Sequence, residues 1–208
     1  MTRKSGKHKE NRAKEYHKNG QFENAATSYT QAAYEFLGEN GLTHSVSAAS
    51  GLRNLLVGAA CFRFQKSTEQ CTNHCWQGVY MTEAIAKEAM DLPQEEHSYD
   101  QSVRGIWFEF EGDFRTVGGL PGAGSAYDQA RSVYCDAGNP DTASFEQYHL
   151  AVSAFTKIVF RETDTAADEL NTVLRPGHKL TDWIDFKERY LSDALSELYS
   201  QENWNYKF

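Results

Sequence analysis

"AKEYHKNGQFENAATSYTQAAYEF", running from Ala13 to Phe36, is the stretch that decides the fold. From Phe22 onward its apolar residues fall at Phe22, Ala25, Ala26, Tyr29, Ala32, Ala33 and Phe36. Spacing by three and four puts them on one stripe of a helix, which must be buried against a neighbour. Asn19-Gly20 ends the helix before it, because glycine tolerates the left-handed conformation that terminates a helix. "GENG" at 38–41 closes the unit. Two helices joined by so short a turn lie antiparallel.

The pattern continues outward. Helices are expected over roughly 46–65, 68–91, 98–117, 125–137, 142–162, 166–174 and 181–201, with Ser67 and Gln70 at capping-box spacing before the second of these. Only four prolines occur, and alternating β-branched runs are nearly absent, so sheet is not expected. The chain reads as all-α, eight or nine helices in consecutive antiparallel pairs. Trp183, Ile184, Tyr190, Leu191, Ala194, Leu195 and Leu198 share one face of the last helix, as a helix capping a stack requires. The organisation that follows is a basic N-terminal arm (1–10), one helical domain (11–201) and an aromatic C-terminal tail (202–208).

With 208 residues, 40% hydrophobic and 24% charged, the chain is long enough for a core and too apolar for disorder throughout. No apolar run is long enough to cross a bilayer, so no membrane role is expected. The basic start has no apolar segment after it, which argues against a secretory signal and makes a cytoplasmic location the expectation. Four cysteines in a chain of this size read as reduced thiols. Residues 1–18 carry seven basic side chains against two acidic ones, a net +5, while the whole chain carries −8. Such a start either reaches an anionic partner or is simply solvated. The acidic remainder argues against broad nucleic-acid binding.

The opening hairpin resembles a tetratricopeptide repeat. Ala13, Tyr16, Gly20, Phe22, Ala25, Tyr29 and Ala32 stand at that family's small, aromatic, turn-glycine, aromatic, small, aromatic and small positions. A second, interrupted match is Trp107, Phe110 and Phe114, then Tyr127, Ala130 and Tyr134. The stretch from Ser47 to Asp91 departs from the pattern, with helices longer than the family's ~34-residue unit allows. The resemblance implies helix pairs stacked as a superhelix, with a partner protein or peptide held along the face formed by the first helix of each pair. By the motif's register, Lys7, Glu10, Lys14 and His17 would face that groove in the first unit, and Phe108 and Arg115 in the third. A subclass of the family clamps a C-terminal carboxylate with a lysine and an asparagine. Glu10 and Lys14 occupy those places here, and an acid at the lysine position would repel the ligand.

Candidate chemistry is sparse. "CTNHC" puts Cys71, His74 and Cys75 on one helical face, with Cys61 on the preceding helix, but no second ligand pair from a tight turn exists, so core packing is the expected role and no metal is expected. "GGLPGAGS" has the glycine spacing of a phosphate loop but Ser125 where the lysine belongs, so a flexible insertion is expected. Glu146 and His149 form one Glu-x-x-His unit, and no other histidine has a glutamate three residues before it, which rejects a di-iron site. Without a nucleophile elbow or a zinc-protease motif, no enzyme activity or cofactor is expected.

In the tail, Trp204, Tyr206 and Phe208 alternate with polar residues. Period two suits an extended segment, one that lies in a partner's groove or folds back on its own body. The function expected is therefore a non-enzymatic interaction module, an adaptor or regulator, with homo-oligomers open. The alternative is a nucleic-acid-associated regulator that uses the basic arm.

Overall fold

Short connections dictate the packing. The computed structural model describes residues 3–39, 45–91, 101–142, 155–202 and 204. Its helices are α1 (Arg3–Lys18), α2 (Phe22–Glu39), α3 (Ser45–Phe64), α4 (Thr68–Asp91), α5 (Gln101–Gly118), α6 (Ala123–Asp136), α7 over 155–161, α8 (Ala167–Val173) and α9 (Leu180–Ser200). Among the described residues there is no strand, only an isolated antiparallel bridge between Asp141 and Lys179. No helix there is long and apolar enough to cross a membrane. The expected helices are present with ends shifted by a few residues; of the one expected over 142–162, residues 143–154 lie outside the described set.

Turns of three or four residues join α1 to α2, α3 to α4 and α5 to α6, which makes each pair antiparallel. Gly20, at φ +71°, donates its N–H to the His17 carbonyl at 2.9 Å and ends α1. The glycine-rich 117–124 stretch, expected as an insertion, holds only a four-residue turn, 119–122, between α5 and α6: Gly119 and Gly122 take positive φ, and Leu120 donates back to the Arg115 carbonyl at 2.7 Å. Each helix from α1 to α6 packs on its neighbour in sequence, and α3 also reaches α5. Ala13, Ala25 and Ala32 are fully buried, so their small side chains set the close approach of the first pair. Residues 3–10, expected as an arm, are the first half of α1; a Cβ on Gly6 would lie 3.2 Å from the Phe36 ring.

Beyond these pairs, α9 packs against α8, α6, α5 and α3. A buried ionic cluster fixes it there. Glu109 and Asp113, one turn apart on α5, both accept hydrogen bonds from Lys187 of α9, at 2.8 and 2.6 Å, and all three side chains are wholly buried. Glu109 also accepts from Trp183 Nε1 and from the Tyr134 hydroxyl, each at 2.7 Å, and Asp113 accepts from the Tyr127 hydroxyl at 2.8 Å. Glycines on the same face of α5 make room for the tyrosines: a Cβ on Gly105 would overlap the Tyr134 ring, and one on Gly112 the Tyr127 ring. Burial, opposed by Lys187 and reinforced by Glu109, pushes the Asp113 carboxyl up to about 6. Burial lowers the Lys187 pKa, but the two carboxylates outweigh it and hold the ammonium above its ordinary value.

Removing the cation alone leaves two carboxylates facing each other in the core. Lys187→Met is expected to lower the unfolding free energy by about 3–5 kcal/mol; adding Glu109→Gln and Asp113→Asn should recover more than half of the loss, as read by urea denaturation. Gly105→Ala should cost about 1–3 kcal/mol through overlap with Tyr134. Gly38→Ala, with nothing within 4 Å of the added carbon, should be neutral or stabilising by up to about 1 kcal/mol.

Candidate functional site

The residues expected to face a partner fall into separate places. Lys7 and Lys14 come together on Glu10, which is 2% exposed although it stands in a basic stretch. Lys7 Nζ lies 3.0 Å, Lys14 Nζ 2.9 Å and Arg53 Nη2 3.1 Å from its carboxylate oxygens. Burial by itself raises the Glu10 pKa, but Arg53, Lys14 and Lys7 outweigh it and hold the carboxyl below its ordinary value. The acid therefore stays ionised at neutral pH and anchors three cations on α1 and α3. The one negative charge of Glu10 is thus outnumbered three to one by the cations around it. Lys7, at 57% exposure of its side chain, is the most accessible of the three.

Arg53 was not legible as a site residue. It sits in the apolar run "SGLRNLLVGAA" of α3, and only the folded chain shows that Glu10 is opposite. A lone arginine in such a run does signal that a carboxylate must be found somewhere in the core.

His17 and Trp204 are core residues rather than surface ones, each 1% exposed. Their rings meet edge to face with centroids 4.4 Å apart, and Trp204 also packs on Phe64 and stacks with Phe22. Trp204 thus lies over the C-terminal ends of α1 and α3. Burial lowers the His17 pKa to about 4, so the ring is neutral at pH 7; its Nδ1 lies 3.7 Å from Cys61 Sγ. Tyr206 and Phe208 lie outside the described residues.

Phe108 is half-buried against the core. Arg115 is not brought to the Lys7–Lys14 cluster. It bonds Glu111 at 2.7 Å and the Pro121 carbonyl at 2.8 Å, and its guanidinium sits 5.7 Å from the centre of the Trp76 ring. Trp76 stacks with Tyr80, which is 63% exposed, so this part of α4 and α5 offers an aromatic surface with its own ion pair.

Cys61, Cys71 and Cys75 are buried free thiols. His74 turns away from them: its Nδ1 lies 2.8 Å from the Gln70 carbonyl, and its ring packs on Phe62. Among the described residues no group of three or more His, Cys, Asp or Glu side chains is arranged to hold a metal ion. Glu146 and His149 lie outside those residues.

Comparison of the chain with protein families, with curated proteins and with solved structures gives no match.

Trp204 is one of the rings that bury His17, with Phe22 and Tyr29, so the two are coupled. A folded pKa of about 4 against the ordinary 6.5 means that His17 contributes stability above pH 6.5 that is lost as the pH falls through 4. Trp204→Ala should destabilise the protein by about 3–5 kcal/mol and move the NMR titration midpoint of His17 up toward 6.5. His17→Phe should flatten the loss of stability between pH 7 and 4.5 relative to the parent protein.

Proposed function

We propose that the protein is a non-enzymatic interaction module that holds an acidic segment of a partner protein on the cationic cluster of its first two helix pairs. The observation that carries this reading is the buried Glu10 surrounded by Lys7, Lys14 and Arg53. A nearly buried carboxylate fixes the basic side chains in place, so little of their conformational entropy remains to be lost on binding. The positive excess then attracts carboxylates, and an arginine among the three offers paired N–H donors.

A tetratricopeptide-like arrangement is the finer part of the proposal. The order of contacts supports it: each pair packs on the next, α3 touches α5 as successive first helices do, and α9 follows α6 as a cap would. In that frame Lys7, Lys14 and Arg53 belong to the first helices of the first two pairs, where members of the resembled family take their ligands. The adaptor or regulator role, and a cytoplasmic setting, rest on the same reading.

A fluorescent octapeptide of alternating glutamate and serine serves as the probe. The parent protein should bind it with an affinity that weakens as salt rises, and Lys7→Glu combined with Arg53→Gln should weaken binding at least tenfold at unchanged helicity by circular dichroism. Equal affinity in the variant would remove the cluster from the site. Binding of a single-stranded oligonucleotide without binding of the peptide would put the nucleic-acid reading in its place.

A further inference from the structure

A second, oppositely charged cleft opens between α8 and α9, far along the chain from the cluster on Glu10. It has a volume of about 530 Å³, and four carboxylates, Asp168, Glu169, Asp182 and Asp185, line it. Phe186 and Tyr190 give it aromatic walls, His178 and Arg189 also line it, and Arg131 of α6 pairs with Asp185, so two guanidiniums stand against the four acids.

We infer that this cleft is a docking site for a basic segment of a partner protein, with an arginine or lysine side chain lying on Phe186 and Tyr190 and its charged head among the carboxylates. Charge complementarity is the argument for that occupant. With Arg189 and Arg131 set against the four acids a negative excess still remains, and the apolar walls suit the long alkyl stem that a simple metal ion or small amine lacks. The chain already makes one such contact here: the Arg189 guanidinium lies 5.6 Å from the centre of the Tyr190 ring. Aromatic faces attract cations through their quadrupole, so an incoming arginine meets a surface already suited to it.

The surroundings hold this geometry firmly. The Asp182 carboxylate accepts the Lys179 backbone N–H at 2.8 Å and caps the start of α9, with His178 Nδ1 at 3.7 Å. Asp185 accepts from Arg131 of α6 at 2.9 Å. Glu197 receives both the Asp164 and Thr165 N–H groups and so ties the turn before α8 to α9. Asp168 and Glu169, in the first turn of α8, have no such structural duty among the described residues and are the acids most available to a ligand.

The inference does not depend on the acidic-segment reading, since it concerns other helices and the opposite charge. The probe is a labelled octapeptide, Ala-Ala-Arg-Ala-Ala-Arg-Ala-Ala, with a version carrying glutamate for arginine. The parent protein should bind the arginine peptide and not the glutamate one. Asp168→Lys with Glu169→Lys should weaken it at least tenfold, and Tyr190→Ala, which changes no charge, at least threefold. Glu83→Lys with Glu88→Lys on α4 makes the same change in net charge and should leave binding as it was. Equal weakening by the α4 pair, or no binding of the arginine peptide by the parent, would overturn the site. Concentration-dependent self-association in analytical ultracentrifugation, abolished by the α8 pair, would instead assign the cleft to the lysine-rich α1 of a second copy. Tighter binding of spermidine than of the peptide would assign it to a free amine.

Discussion

The ammonium of Lys187 between Glu109 and Asp113 is the constraint on which the rest of the structure depends. Taking three charges out of water costs several kcal/mol per ion, and their mutual attraction repays this only if every remaining donor and acceptor is satisfied. Here the tyrosine hydroxyls and the Trp183 indole N–H supply the missing bonds. Such a cluster adds little stability over a well-packed apolar core. What it adds is discrimination: a shift of α9 by one residue would move Lys187 away from both acids and strand three buried charges. The cluster therefore sets the register of α9 on α5 and α6 more sharply than a leucine stripe would.

Fixing α9 fixes what hangs from it. Residues 139–142 attach to its start through the Asn139 side chain, which meets Thr181, and through the Lys179–Asp141 ion pair. The end of α7 attaches further along, where Gln201 donates to the Glu162 carbonyl at 2.7 Å. At the far end Arg63 of α3 lies over the Tyr199 ring, and Trp204 then reaches His17 of α1. One helix, held in register at its middle, thus links the last helices of the chain to the first.

Much of this was legible in the sequence, and the part that was not has a physical reason. The stripe from Phe22 to Phe36, the glycine at position 20 and the apolar face of the last helix are local patterns, and local patterns fix helices and turns. The all-helical architecture in sequential pairs follows from them. The ionic core does not, because its partners are more than 70 residues apart. Its traces were nonetheless present. Lys187 interrupts the apolar series Trp183, Leu191 at helical spacing, and Gly105, Glu109, Gly112 and Asp113 share one face of an otherwise aromatic helix. A lysine on one buried stripe and two acids on another ask for each other, but only packing shows that they meet. His17 is buried rather than in a groove for a related reason: repeat register places a side chain on a face, and it does not foresee that Trp204 packs on that side chain.

That covering bears on where a partner can dock. In a tetratricopeptide-like stack the first helices form the receiving surface, yet α9 already lies against α3 and α5, and Trp204 closes the C-terminal ends of α1 and α3. A guest entering along α5 would have to lift α9 and expose Lys187 and its two carboxylates. The resulting penalty, three charges losing their partners at once, exceeds what a short peptide gains from a few new contacts. On the proposed reading a guest is therefore kept from the part of α5 beneath α9, while the Trp76, Tyr80 and Arg115 surface of α4 and α5 stays open. Lys7 and Arg53 keep their ordering from Glu10 rather than from α9, so the acidic segment proposed for them would leave the ionic core intact. The cluster on Glu10 and the cleft beside α8 carry opposite charge on different helices, which suits them to different guests.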